Sequence, residues 1–160
     1  MKSYTVFLFT VIMLALSLGL SAQTAKEPLI IDDIQVDVKE VLVDSTTDTA
    51  TVSLFLISYS RDPREFKLNT YATQLIDAAG EGHLYTEMTL GRIRVSLADE
   101  QNYMHFLFHE ELPASFTIKV ANWDNSKGMP KAVNLVFEDS EELGKFISFP
   151  VALTENHEVY

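Results

Sequence analysis

TYATQLIDAAGEGHLYTEMTLG (residues 70–91), RIRVSL (92–97), NYMHFLF (102–108) and LPASFTIKV (112–120) are four neighbouring segments on which the fold prediction depends. In the last two, apolar residues recur at every second position, which is typical of half-buried strands. The segment Asp77–Gly82 contains two glycines that can adopt positive φ, so it predicts the loop of a hairpin. Pro113 separates the last two strands, because proline cannot donate to a ladder hydrogen bond.

The same alternation continues on both sides of this region. It covers residues 29–43, 49–59, 133–137 and 146–153, and polar or proline-containing turns separate these segments. Short strands at a spacing of roughly 8–12 residues are typical of a sandwich or small barrel. The sequence therefore predicts an all-β protein, an immunoglobulin-like antiparallel β-sandwich of about 8–9 strands.

The first of these strands contains a break in its own pattern. Apolar residues occupy even positions up to Val38 and odd positions from Val41 onward. Because a one-residue slip turns every following side chain to the other face, we expect a β-bulge or a change of sheet at Lys39–Glu40.

Two parts of this pattern resemble a known family. They are LIDAAG (75–80) followed by Leu84 and Tyr85, and LPASFTIKVAN (112–122) followed by VNLVF (133–137). Together they resemble the small exported immunoglobulin-like domains of bacteria, akin to telokin-like accessory domains, over residues 34–138. The resemblance implies an interaction, stabilising or ligand-binding module and offers no catalytic residues.

Residues 1–22 have the composition of a signal peptide. Lys2 is followed by an uncharged apolar run from Tyr4 to Leu20 and by a small-residue cleavage site that ends at Ala22. The run is short for a spanning helix, and no basic stop-transfer cluster follows it. We therefore expect one domain, residues 23–160, without a transmembrane segment and exported to the periplasm, the medium or the cell surface.

The composition narrows the classes of partner. The chain has no cysteine, which favours a bacterial exported protein held together by its core. Without Lys2, 11 basic and 23 acidic side chains remain, for a net charge of −12. Such a charge disfavours nucleic acid and anionic membranes, which bind basic patches.

His105 and His109 are spaced as zinc ligands on a helix would be. On the strand predicted here the two residues are about 13 Å apart, while zinc–nitrogen bonds are about 2 Å. We interpret them as outward-facing strand histidines.

The acidic clusters lack the spacing of a dedicated calcium loop. They lie near Asp77 and Glu81, near Asp32 and Asp33, and in the turn 138–142. There is no thiol, no G-x-S-x-G or S-x-x-K motif and no glycine-rich phosphate loop. The sequence therefore predicts a protein that is not an enzyme and that uses no metal or cofactor.

Trp123 is the strongest candidate for ligand binding. It lies in the polar loop 122–131, where an exposed indole suits a sugar ring or a protein contact. Tyr85 and Tyr103 join it if the loops cluster at one end of the sandwich, and Tyr71 is a further candidate. The alternative is that Trp123 folds back as a lid over the core.

These observations lead to a main prediction and two alternatives. The main prediction is an accessory module that binds a protein partner or envelope component through an apolar patch or a bare edge strand. A carbohydrate-binding module would need Trp123 and a tyrosine to be coplanar and exposed. A small hydrolase would need a cleft with acids whose pKa values differ strongly.

Overall fold

A computed structural model of the chain describes residues 28–153. The predicted signal peptide, residues 1–22, lies outside the described residues. The described part is built from strands, with single 3₁₀ turns at Leu97–Asp99 and Asn125–Lys127. The strands are β1 (Ile30–Ile31), β2 (Ile34–Asp44), β3 (Thr49–Ser58), β4 (Arg64–Asn69), β5 (Gln74–Ile76), β6 (Gly82–His83), β7 (Glu87–Leu90), β8 (Ile93–Ser96), β9 (Tyr103–Phe108), β10 (Ala114–Ala121), β11 (Ala132–Glu138) and β12 (Phe146–Ala152).

The strands form two sheets whose pairings are all antiparallel. The first sheet has the order β1-β2-β3-β10-β7-β8, and the second has the order β6-β5-β11-β4-β9 with β12 also paired to β11. β12 pairs with β11 along its whole length, so β4 and β5 must share the other side of β11. Among residues 28–153, β12 is therefore an edge strand. The predicted all-β, antiparallel class is confirmed.

A single hydrophobic core takes side chains from both sheets. Leu54 and Ile118 come from the first sheet, while Phe66, Leu135 and Phe137 come from the second, and each is at most 1% exposed. Each such side chain contributes about 1.5–3 kcal/mol when it leaves water. The shared core explains why alternation was a reliable guide: each sheet turns one face inward.

The predicted irregularity at Lys39 is a β-bulge. Val38 pairs with Leu54 and Glu40 pairs with Ser53, which leaves Lys39 as an extra residue. β2 continues along β3 on both sides of this point, so the chain does not change sheet. Before the bulge the inward-facing residues have even numbers, and after it they have odd numbers, which is the shift seen in the sequence.

The predicted number of strands was wrong, because long apolar segments are divided. One example is the break between β4 and β5. Phe137 pairs with Leu68 and Asn134 pairs with Gln74, so the two residues between these pairs on β11 lie opposite five residues, 69–73, on the broken strand. Thr73 fills the break, since its Oγ1 accepts a hydrogen bond of 3.1 Å from the buried N–H of Val136. A buried amide needs such a partner.

The hairpin predicted at residues 77–82 is present but short. Leu75 pairs with His83 and Ile76 with Gly82. The predicted return strand 83–90 then leaves the second sheet and resumes as β7 in the first. Among residues 28–153 there is no helix of the length and hydrophobicity needed to cross a membrane.

Candidate functional site

The outer edge of β12 is the first candidate. Two hydrogen bonds fix how its peptide groups are oriented: Leu153 N–H donates to Lys131 C=O at 2.7 Å, and Asp139 N–H donates to Lys145 C=O at 2.9 Å. Each of these bonds lies one residue beyond an end of the β11–β12 pairing, so the last pair at each end is a non-hydrogen-bonded pair. Hydrogen-bonded and non-hydrogen-bonded pairs alternate along an antiparallel ladder. The residues of β12 whose N–H and C=O groups face away from β11 are therefore Phe146, Ser148, Pro150 and Ala152.

Within residues 28–153, no strand pairs with this outward side of β12. Ser148, Pro150 and Ala152 are exposed, and Phe146 is half-buried. Pro150 stands at an outward position, where its missing N–H costs β11 no hydrogen bond. The strand thus offers a row of free peptide groups that a further strand can use.

Three other strands at sheet edges, β2, β8 and β9, carry features that discourage pairing. The outer part of β2 contains charged residues and the bulge, and β8 contains Arg94. β9 lies against the β7–β8 turn so closely that a Cβ on Gly91 would be 2.5 Å from the Phe106 ring. β12, in contrast, has seven residues and no charged side chain. Charge, bulges and coverage are the usual protections of an edge, and β12 has only Pro150.

An aromatic pair lies on the outer face of the second sheet, next to β12. The rings of Tyr103 and Phe146 are stacked with centroids 5.7 Å apart, at an interplanar angle of 17°. Lys67 Nζ lies 4.7 Å from the Tyr103 centroid and 5.5 Å from that of Phe146. Tyr103, a predicted ligand-binding residue, is therefore half-buried in a contact with β12, whereas the ring of Trp123 packs against His83.

A shallow groove of about 340 Å³ lies on the same face. Two of its carboxylates have side-chain partners, because Lys67 Nζ donates to Glu138 Oε1 at 3.1 Å and His105 Nδ1 lies 2.8 Å from Glu65 Oε1. Hydrogen bonds from Lys67 to Glu138, and from the N–H of Glu141 to Asp139, hold the pKa of both acceptor carboxyls below their ordinary values. Neither acid is kept protonated.

Trp123 does not present its ring to solvent. It is 2% exposed, its Nε1–H donates to Gly128 C=O at 2.9 Å, and its ring lies 4.9 Å from the imidazole of His83. Tyr85 is 0% exposed, and its hydroxyl has no partner among the described residues. The exposed, coplanar rings required for the predicted sugar site are therefore not found at Trp123 and Tyr85. The alternative position, a lid over the core, describes Trp123.

Beside Trp123 lies an ion-pair cluster centred on Asp77, whose side chain is fully buried. Asp77 Oδ2 accepts from Lys127 Nζ at 2.7 Å and lies 2.9 Å from His83 Nε2, while Oδ1 accepts from the Glu81 N–H at 2.9 Å. Lys127 also donates to Glu81 Oε2 at 2.8 Å. The hydrogen bonds from Lys127 and His83 lower the pKa of Asp77 well below its ordinary value. Those to Asp77 and Glu81 raise the pKa of Lys127.

The cluster has the residue types of a metal site, but its positive charge is supplied by the protein. Single ligand atoms of Asp77, Glu81 and His83 lie within 4.8 Å of one another, and the Lys127 ammonium binds two of these residues. A buried charge must be compensated by a partner of opposite charge, and the Lys127 ammonium compensates the Asp77 carboxylate. The cluster joins the β5–β6 hairpin to the loop after β10. Sequence reasoning missed Lys127, because it is 50 residues from Asp77 and only the fold brings them together.

His105 and His109 are both exposed, and His105 lies on strand β9 as predicted. His105 pairs with the exposed Glu65, and His109 follows the end of the strand. The acidic turn 138–142 is held internally, since the N–H groups of Glu141 and Glu142 both donate to Asp139 Oδ1. Asp32 joins this turn to β4, because it accepts hydrogen bonds from Ser140 and forms an ion pair with Arg64.

Comparison with protein-family models, curated proteins and solved structures finds no match to this chain.

Proposed function

We propose that this protein is an exported, non-enzymatic interaction module that binds a polypeptide partner by adding the partner's strand to β12. The observation that carries the proposal is the outward row of peptide groups on an uncharged, seven-residue edge strand. An added strand gains affinity from main-chain hydrogen bonds and specificity from alternate side chains.

The strand order supports an immunoglobulin-like assignment of the fold. Such domains place strands A, B, E and D in one sheet and C, F and G in the other. The orders β2-β3-β10-β7 and β4-β11-β12 correspond to these sets in chain order, with the remaining short strands and β9 as additions. By this assignment β12 is strand G. A telokin-like accessory domain is the family of this type that the sequence resembles.

The state of the acids supports a binding role over hydrolysis. A hydrolase of this kind needs one carboxyl kept protonated beside one kept ionised. In the groove, the pKa values of Glu138 and Asp139 are both lowered. In the cluster at the other end, the pKa of Asp77 is lowered too, and its charge is balanced by Lys127. Both groups of acids are used to hold turns and loops in place.

The signal-peptide pattern of residues 1–22 and the absence of cysteine support export. A carbohydrate site at Trp123 and Tyr85 is less well supported, because both rings would have to leave the core before a sugar could stack on them.

The test compares Ser148→Pro with Ser148→Ala. Both variants lose the hydroxyl hydrogen bond of Ser148 to Asn134 Oδ1, 3.0 Å long in the structure. They differ at the outward N–H, which proline removes, and β11 does not use that N–H. Both should therefore fold with similar stability, the proline variant within about 1 kcal/mol of the alanine variant, since an edge position without a ladder N–H tolerates proline.

Binding is measured by photo-crosslinking in the cells that produce the protein. A benzophenone amino acid replaces the exposed Pro150 in each variant. We expect one adduct of defined mass with Ser148→Ala and its loss with Ser148→Pro. The absence of any adduct, or an equal yield from both folded variants, would contradict strand addition at β12.

A further inference from the structure

We infer that the strand added to β12 is β12 of a second copy of this chain, so that the protein forms a two-fold symmetric dimer with one sheet running through both copies. This inference rests on the proposed function and names its partner. Antiparallel pairing of a strand with itself is closed by a two-fold axis and leaves no further edge of the same kind.

The charge of the chain favours β12 for contact between two copies. Each copy has a formal net charge of −11, so an edge lined by acids would oppose pairing. β12 has no charged side chain. In the antiparallel arrangement the acidic turns 138–142 of the two copies lie at opposite ends of the new ladder, away from one another. The contact thus brings two acidic molecules together at a neutral strand.

The position of Pro150 favours one register over the neighbouring one. If Phe146 pairs with Ser148 of the second copy, every outward N–H and C=O of these two residues gains a partner in both copies. A register centred on Ser148 would instead place Pro150 opposite Phe146 and leave the Phe146 C=O without a donor. We therefore place the two-fold axis at Ile147.

The side chains of the strand fit this register. Ile147 and Phe149 face the core but are only half-buried, because they lie at its edge. On the axis, Ile147 meets Ile147 of the second copy, and the exposed part of each side chain is covered by the other. Cross-strand apolar pairs of this kind stabilise antiparallel ladders.

The register predicts which single cysteine forms a disulfide between copies. Ile147 and its symmetry mate would be a non-hydrogen-bonded pair with Cα atoms about 4.5 Å apart, within the range of about 4.4–6.8 Å that a disulfide spans. Phe149 and its mate would be about 13 Å apart. The natural chain has no cysteine, so each variant carries one thiol.

The experiment uses the full chain, expressed with its own N-terminus, as Ile147→Cys and Phe149→Cys. Both are oxidised with glutathione and compared on non-reducing gels, after thermal melts of the reduced proteins. We expect Ile147→Cys to form a disulfide dimer in at least tenfold higher yield than Phe149→Cys. Equal yields would overturn the register.

Sedimentation velocity of the unmodified chain tests dimer formation without a variant that could fail to fold. We expect a reversible monomer–dimer equilibrium that Ser148→Ala keeps and Ser148→Pro abolishes. A monomer at every concentration, with no crosslinking of Ile147→Cys, would overturn self-pairing. A photo-crosslinked adduct with a different protein would then still uphold strand addition, whereas no adduct at all would refute both.

Discussion

The Asp77 end of the molecule and the β12 edge use their polar groups in opposite ways. At the Asp77 end, a buried carboxylate, an imidazole, an ammonium and an indole N–H are all paired with one another or with the backbone. At β12, alternate peptide groups have no partner among the described residues. The side chains that suggest chemistry thus hold the fold together, while the backbone of a neutral strand is the proposed binding edge.

The largest effect is expected at the Asp77 end, from Trp123→Ala. Because the ring is 2% exposed, its removal should lower the free energy of unfolding by about 3–5 kcal/mol. Trp123→Phe keeps most of the apolar volume and should cost less. Urea unfolding followed by circular dichroism measures both. A cost below about 1 kcal/mol for Trp123→Ala would show that the ring is not packed in solution.

The ion-pair cluster should make the free energy of unfolding fall at low pH. Asp77 has a pKa lowered from its ordinary value of 3.8, so its contribution to stability is complete above about pH 4 and is lost as the pH falls below 3.8. We expect Asp77→Asn to be less stable than the natural chain at neutral pH and to lose less stability on acidification. Urea midpoints between about pH 7 and about pH 2 measure the difference.

Glu65→Gln is the matched control for that experiment, because it neutralises a largely exposed acid that also pairs with a histidine. Its stability should follow that of the natural chain at each pH. Curves for Asp77→Asn and the natural chain that stay parallel on acidification would contradict the role given to the cluster.

Lys127→Met tests the other partner of the ion pair. The raised pKa of Lys127 implies a contribution to stability that is present below pH 10.5 and lost above it. The variant should therefore lack this loss of stability at alkaline pH.

The sequence predicted the parts of the fold that depend on local pattern. The alternation gave the all-β class, and the shift of apolar residues at Lys39 gave the bulge. The break at residues 70–73 and the crossing after His83 could not be read in the same way, because both depend on how β11 and β7 pair with distant strands.

The candidate site was less accessible to sequence reasoning. Trp123 and Tyr85 were predicted as ligand contacts because aromatic residues in polar loops can be exposed, but the shared core buries both rings. A bare edge strand was one of the predicted binding features. Its identity as β12 could not be predicted, because strand order in a sheet is set by tertiary packing. The signal that was available is the uncharged run 146–152 in an otherwise acidic chain.

Residue-resolved amide exchange of the natural chain, at two protein concentrations, tests the open edge of β12 most directly. We expect the amides of Ile147, Phe149 and Val151, which bond to β11, to exchange slowly at both concentrations. The amides of Phe146 and Ser148 should exchange rapidly in dilute solution and slow down at high concentration, as the second strand adds. If Phe146 and Ser148 exchange as slowly as their neighbours in dilute monomer, the edge is already closed and the account is wrong.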